Sequence, residues 1–176
     1  SITTTDTDLK TKVRVRGGRE LSGTVRVPGD KSISHRALIL GALTSGVSEV
    51  RGWLPAGDTL ATLSCMRALG VTIDRHDDTT LIVHGVGLNG LDEPETELDC
   101  VNAGTLMRLL VGVLSGQQFT TVLDGSEQLR RRPMKRVTDP LRLMAANIEE
   151  NDGRAPLHIG PAFLKGITYK LPVASA

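Results

Sequence analysis

The sequence predicts an α/β (α+β) protein, and three observations lead to that class. Short runs with strand-like alternation are interleaved with longer segments of helical apolar period, and glycine or proline separates most of them. The pattern recurs: Leu69-Gly70-Val71-Thr72-Ile73 is echoed by Met144-Ala145-Ala146-Asn147-Ile148, and Gly85 by Gly160, at one offset of 75 residues. That echo reads either as shared α/β grammar or as similar modules, each needing a neighbour to cover its apolar face. The composition, 39% hydrophobic and 23% charged over 176 residues, suits one good core or two small ones.

In chain order, residues 1–12 are polar and rich in Thr and Asp and read as a loose leader. Residues 13–16 and 23–28 alternate as strands, the second closed by Pro28. After the Gly29-Asp30 turn, Ser32 or Ser34 caps a helix with Ala37, Leu38, Leu40, Ala42 and Leu43 on its apolar face, stopped by Gly46. Residues 48–53 form a strand. Asp58 or Thr59 then caps a helix to Leu69, and Gly70 ends it. Strands follow at 71–74 and 80–84, around an Asp77-Asp78 turn, before a loop over 85–97. Residues 104–114 are helical, 119–123 a strand, and 134–145 a helix that Pro140 kinks or splits. Residues 147–150, 156–160 and 167–171 read as the last strands.

Several function classes are disfavoured. The formal net charge is +1, so any anion site must come from a local cluster of basic residues, and neither nucleic acid nor membrane is an expected partner. No apolar run is long enough to span a bilayer. Aromatic content of 2% is too thin for base stacking. Cys65 and Cys100 lie in apolar periodic stretches and read as reduced core thiols, and no Cys/His spacing implies a metal. A cytoplasmic protein acting on small anions is the expectation.

Three stretches carry chemistry. In Pro28-Gly29-Asp30-Lys31-Ser32-Ile33-Ser34-His35-Arg36, Lys31 and Ser32 fall where a helix begins, with Arg36 one turn on and on the same face as Ser32. Exposed amides and the positive end of the dipole make that point receptive to phosphate or carboxylate. The plainer reading leaves Lys31 and Arg36 as solvated helix charges. Asn102-Ala103-Gly104-Thr105-Leu106-Met107-Arg108 follows the same logic: Asn102 or Thr105 caps, and Gly104 lets a ligand approach the backbone. Its alternative is a capped core helix with one surface Arg. Gln128-Leu129-Arg130-Arg131-Arg132-Pro133-Met134 sets three arginines before a helix-starting Pro, or forms a solvated basic turn. Three adjacent guanidinium groups repel, so at least one should meet a ligand or a carboxylate. The four histidines show no triad or ligand spacing.

These motifs, with Leu171-Pro172-Val173-Ala174-Ser175-Ala176, resemble in content and order those of EPSP (5-enolpyruvylshikimate-3-phosphate) synthases, class II-like, over residues 13–176. The resemblance implies transfer of the enolpyruvyl group of phosphoenolpyruvate (PEP) to the 5-hydroxyl of shikimate 3-phosphate, through a tetrahedral intermediate and without metal or organic cofactor. It implies repeated βαβαββ units of an inside-out α/β barrel, incomplete in this chain. By motif position, Lys31 contacts both substrates and serves catalysis. Ser32, Arg36, Thr105, Ser175 and Ala176 serve shikimate 3-phosphate. Asn102, Gly104 and Arg132 serve PEP, and Arg108 braces the Asn102–Thr105 loop. Ala176 stands where some relatives carry a second Ser, and Leu109 where some carry Pro. Glyphosate takes the PEP position in such enzymes, and Gly104 leaves room where insensitive members have Ala.

The same resemblance divides the chain into the leader 1–12, strands 13–27 belonging to or leading from a C-terminal domain, and an N-terminal domain over 28–176. That domain holds about two of three repeat units and the start of a third. The full-length enzyme is expected to be a monomer. The chain alone is expected to be inactive and to depend on a complementing C-terminal fragment. The competing readings are a half-domain that binds shikimate 3-phosphate without catalysis, and a relative acting on UDP-N-acetylglucosamine, whose usual members carry a reactive loop Cys.

Overall fold

A computed structural model describes residues 2–5, 12–18 and 20–172. Near the start, β1 (Ile2–Thr5) pairs antiparallel with β2 (Lys12–Val15), so part of the expected leader is a strand. The rest forms two α/β units. The first comprises α1 (Lys31–Leu43), β3 (Val47–Arg51), α2 (Gly57–Ala68), β4 (Thr72–Arg75) and β5 (Thr80–His84), with an antiparallel sheet in the order β3-β5-β4. The second comprises β6 (Leu98–Asp99), α3 (Gly104–Leu114), β7 (Thr121–Asp124), α4 (Glu127–Arg130), α5 (Lys135–Leu143), β8 (Asn147–Asn151) and β9 (Arg154–Gly160). Its sheet runs β6-β7-β9-β8, with β6 parallel to β7 and the other pairs antiparallel. The predicted α/β class holds, and no sheet closes into a barrel among the described residues.

The 75-residue echo is visible in the hydrogen bonds. Helix α2 ends in Leu69, and the amides of Gly70 and Val71 reach Arg67 O and Met66 O. Helix α5 ends in Met144, and the amides of Ala145 and Ala146 reach Arg142 O and Leu141 O. Both are Schellman ends, with the left-handed residue at Gly70 (φ 87°) and Ala145 (φ 72°). Each is pinned by an arginine of the helix's last turn. Arg67 Nε donates to Ile73 O at 3.2 Å, and Arg142 Nε and Nη2 donate to Ile148 O at 3.1 and 2.8 Å. The chain thus turns from helix into hairpin the same way twice, and each hairpin is laid against its helices.

One continuous core joins the units. Leu38 and Ala42 of α1, Met66 of α2, Leu81 and Val83 of β5, and Leu106, Met107, Leu110 and Leu114 of α3 are fully buried. Each such leucine contributes roughly 1.5–3 kcal/mol of transfer free energy. Cys65 and Cys100 are buried free thiols. Contact with Cys65 and burial push the Cys100 thiol far up, so Cys100 lacks the thiolate character of a nucleophile.

Several local expectations fail for identifiable reasons. Asp30, not Ser32 or Ser34, caps α1: its Oδ1 accepts from Ile33 N at 2.8 Å. Ala56 occupies the cap of α2, while Thr59 Oγ1 accepts from the Ala56 amide at 3.0 Å. Leu40 is exposed and Ile39 takes its place in the core. Pro133 lies before Met134, the cap of α5, rather than inside the helix, and α5 runs unbroken through Pro140. Residues 23–28 and 167–171 join no ladder among the described residues. They alternate correctly but lie beside no strand among the described residues, and Val25 and Val27 are 84% and 76% exposed. Ser175 and Ala176 lie outside the described residues.

Two outcomes follow from this packing. Arg67→Met removes the pin on the first helix end and should lower stability by about 1 kcal/mol in urea denaturation, with an unchanged slope. His35 is fully buried on α1, its Nδ1 2.6 Å from Thr62 Oγ1, and its Nε2 has no partner. Desolvation lowers its pKa, with Lys31 and Arg36 adding to that and Asp58 opposing it. The unfolded chain therefore takes up a proton more readily, and stability falls as pH drops below about 6.5, the ordinary histidine value. In His35→Gln, the fall in Tm between about pH 7.5 and 5.5 should shrink.

Candidate functional site

The start of α1 is fixed by a backbone contact that only glycine permits. A Cβ on Gly29 would fall 2.0 Å from Gly52 O, so the turn before the helix lies directly against the end of β3. Asp30 caps, and Lys31 opens the first turn. Lys31 Nζ lies 3.0 Å from Asp58 Oδ2, in the first turn of α2. Arg36 Nη1 folds back to donate to Ser32 O at 3.1 Å. Lys31, Ser32 and Arg36 therefore share one exposed end of α1, as the spacing implied.

The start of α3 is built by a different route. Ser126 N donates to Val101 O at 2.7 Å and Cys100 N to Asp124 O at 2.8 Å, tying the loop after β6 to the loop after β7. Neither Asn102 nor Thr105 caps the helix: Ala103 does, without a side-chain bond. Asn102 instead spans the two loops. Its Nδ2 donates to Gln128 Oε1 at 3.0 Å and its Oδ1 accepts from Ser126 Oγ at 3.3 Å.

Gly104 opens the first turn, and the space where a Cβ would stand is flanked by two guanidinium groups. That Cβ would lie 2.7 Å from Arg132 Nη1 and 2.9 Å from Arg108 Nη1. Arg108 Nη2 donates to Pro133 O at 3.2 Å, which ties α3 to the segment carrying Arg132. Burial and the nearby Arg132 and Arg136 lower the pKa of Arg108. The arrangement is a concentration of positive charge at a helix start, a place suited to an anion.

The arginine triplet is divided by its partners. Arg130 forks onto the buried carboxylate of Asp124, whose pKa is lowered chiefly by that bond. Arg131 Nη2 is 3.6 Å from Glu127 Oε2. Arg132 reaches Gly104. An open surface depression beside them is lined by Asn102, Ser126, Glu127, Gln128 and Arg131.

The structure thus gathers Lys31, Ser32 and Arg36 at one helix start, and Asn102, Gly104 and Arg132 at another. Thr105 is half-buried in the first turn of α3. The helices that carry them are neighbours: α1 packs on α3, and α2 on both. Sequence reasoning missed three participants. Asp58, an expected cap of α2, lies in its first turn and faces Lys31 instead. The bonds of Ser126 and Gln128 to Asn102 depend on the β6–β7 pairing, which two-residue β6 hardly signals. Arg108, expected to brace the Asn102–Thr105 loop, donates from Nη2 to Pro133 O.

A sequence model of the EPSP synthase (3-phosphoshikimate 1-carboxyvinyltransferase) family matches residues 15–176. The chain is 55% identical over 166 residues to the 3-phosphoshikimate 1-carboxyvinyltransferase of Acidithiobacillus ferrooxidans, covering 94% of this chain and 38% of that protein. It is 56% identical over 162 residues to the protein of the same name from Methylococcus capsulatus, covering 91% and 37%. A solved EPSP synthase from Acinetobacter baumannii superposes with a TM-score of 0.83 at 46% identity, over 88% of this chain and 36% of that one. The chain thus spans a little over a third of the length of these relatives. Across nearly all of its own length, sequence and fold agree, and the chain belongs to the EPSP synthase family.

Proposed function

We propose that this chain supplies the N-terminal substrate-binding part of an enzyme that moves the enolpyruvyl group of PEP to the 5-hydroxyl of shikimate 3-phosphate. Phosphate is released, and the product leads through the shikimate pathway to chorismate and the aromatic amino acids. The observation that carries the reading is the start of α3, where the absent Cβ of Gly104 leaves a space flanked by Arg108 and Arg132. Two cationic side chains over a helix N-terminus suit a small acid bearing both carboxylate and phosphate. A second set of donors stands at the start of the neighbouring helix α1, suited to a separate phosphate.

In this reading Lys31 contacts both substrates and helps drive the reaction. Ser32, Arg36, Thr105, Ser175 and Ala176 serve shikimate 3-phosphate, while Asn102, Gly104 and Arg132 hold PEP. Fixing both substrates converts an encounter of two anions into a reaction of prearranged neighbours, which is where binding residues contribute to rate. The acid–base groups belong to the part of the enzyme beyond these residues. Residues 28–176 act as an N-terminal domain, and 13–27 face the remainder of the enzyme. The exposure of Val13, Val15, Val25 and Val27 supports this assignment. The site of action is cytoplasmic, and the complete enzyme is a monomer. Glyphosate, an anionic analogue, takes the PEP position.

The full-length protein should release phosphate from PEP only when shikimate 3-phosphate is present, and absence of that dependence refutes the reading. The 176-residue chain should bind shikimate 3-phosphate without turnover, and turnover should appear on mixing with the complementary part. In the complete enzyme, Lys31→Ala and Arg132→Ala should each lower kcat/KM at least about 30-fold, the equivalent of on the order of 2 kcal/mol. Values like those of the wild type in either would contradict the roles. Gly104→Ala places a methyl against Arg132 and Arg108 without an unfavourable φ. It should preserve Tm while raising KM for PEP and the inhibition constant of glyphosate. Inhibition that does not compete with PEP would count against the shared position.

A further inference from the structure

Lys31 is held by a neighbour on another helix. Its Nζ lies 3.0 Å from Asp58 Oδ2. Asp58 sits in the first turn of α2, where the helix dipole favours a carboxylate. The backbone there is fixed on both sides. Before it, Thr59 Oγ1 donates to Leu54 O and accepts from the Ala56 amide, and Leu54 N–H donates to Ser34 Oγ of α1 at 2.9 Å. After it, Thr62 Oγ1 lies 3.4 Å from Asp58 O and 2.6 Å from His35 Nδ1 of α1. Ser34, His35, Thr59 and Thr62 are all buried. The two helices are therefore cross-tied directly beneath the pair, and the carboxylate stands on backbone that cannot drift relative to Lys31.

We propose that Asp58 is a positioning residue for Lys31. An ammonium has three N–H donors. Asp58 takes one and thereby aims the other two at the anion bound at the start of α1. A lysine carries four rotatable bonds and reaches an anion from many directions, so a fixed acceptor removes most of that freedom before substrate arrives. The pair is not a stability device. The Lys31 and Asp58 side chains are 52% and 30% exposed, and ion pairs of that kind contribute little to folding. The opposite sign is also physically available, since a carboxylate on Lys31 competes with a substrate anion. The cross-ties favour positioning, because a competitor needs only proximity and not a rigid seat.

The role assigned to Lys31 rests on the proposed function, so one readout is chosen that does not need activity. In the full-length protein carrying Asp58→Ala, acylation of the Lys31 amine by an N-hydroxysuccinimide ester, read by mass spectrometry relative to Lys135, should rise several-fold. In the same variant, KM for the two substrates should rise about tenfold or more and kcat should fall, with Tm unchanged within about 2 °C. Asp58→Asn, which retains an acceptor oxygen, should recover part of the loss. Unchanged labelling at Lys31, wild-type kinetics, or a lower KM in the Ala variant overturns the proposal. A drop in Tm large enough to explain the loss does so as well. A wild-type protein that consumes neither substrate refutes the proposed function, while the labelling ratio still decides whether Asp58 governs Lys31.

Discussion

The architecture turns on a single backbone constraint used twice: the left-handed residue that ends α2 and α5. A helix must stop abruptly if the following strands are to fold back under it, and its last carbonyls then need donors. The amides of Gly70 and Val71 in the first unit, and of Ala145 and Ala146 in the second, supply them. The arginines of the last turns then hold the first strand of each hairpin by its carbonyl. Gly70 adopts this conformation at no steric cost. Ala145 does so against a preference of roughly 1 kcal/mol, so in the second unit the surrounding bonds, not the residue, hold the turn. The hairpins β4–β5 and β8–β9 both follow from that reversal.

The two helix starts that matter, those of α1 and α3, differ in how their charge is managed. At α1 the cation is partnered by a carboxylate from α2. At α3 two guanidinium groups share the space over Gly104, and a backbone carbonyl, that of Pro133, steadies one of them. Carboxylates do occur beside α3, but they are engaged: Asp124 holds Arg130, and Glu127 faces Arg131. The acidic residues thus absorb the arginines at 130 and 131 and leave positive charge concentrated at Arg132. Neighbouring residues of one kind acquire different roles through the partners the fold assigns them.

That sorting explains how much was legible in the sequence. The helices from Gly104 and from Lys31 were readable because glycine, proline and apolar period punctuate them, and the repeat was readable because the helix ends carry matching residues. The end of α1 was anticipated as a cluster because Lys31, Ser32 and Arg36 are local. Capping was misjudged because Asp30, Ser32 and Ser34 all have suitable oxygens, and the choice depends on where Leu54 N–H must be satisfied: Ser34 serves that bond, which leaves Asp30 for the cap. Residues 23–28 and 167–171 show why alternation alone does not make a strand. A strand exists only where another chain segment offers its ladder, and no local pattern records that.

The same reasoning separates what holds the fold from what serves the site. Buried polar groups such as Thr59 and Thr62 spend their hydrogen bonds within α1, α2 and the turn that leads into α2, and their removal would be felt in stability. Lys31 and Arg36 are exposed and Asp58 is only partly buried, so the ion pair between Lys31 and Asp58 adds little to folding. A protein gains nothing in stability from pinning exposed cations over rigid helix starts, and like charges such as Arg108 and Arg132 placed side by side raise the energy of the empty state. An anion that enters between them relieves that repulsion and finds its donors already aimed. The charge arrangement at α3 is therefore intelligible as preparation for a bound anion, and the buried cross-ties beneath α1 are what keep the neighbouring helix start in a comparable state of readiness.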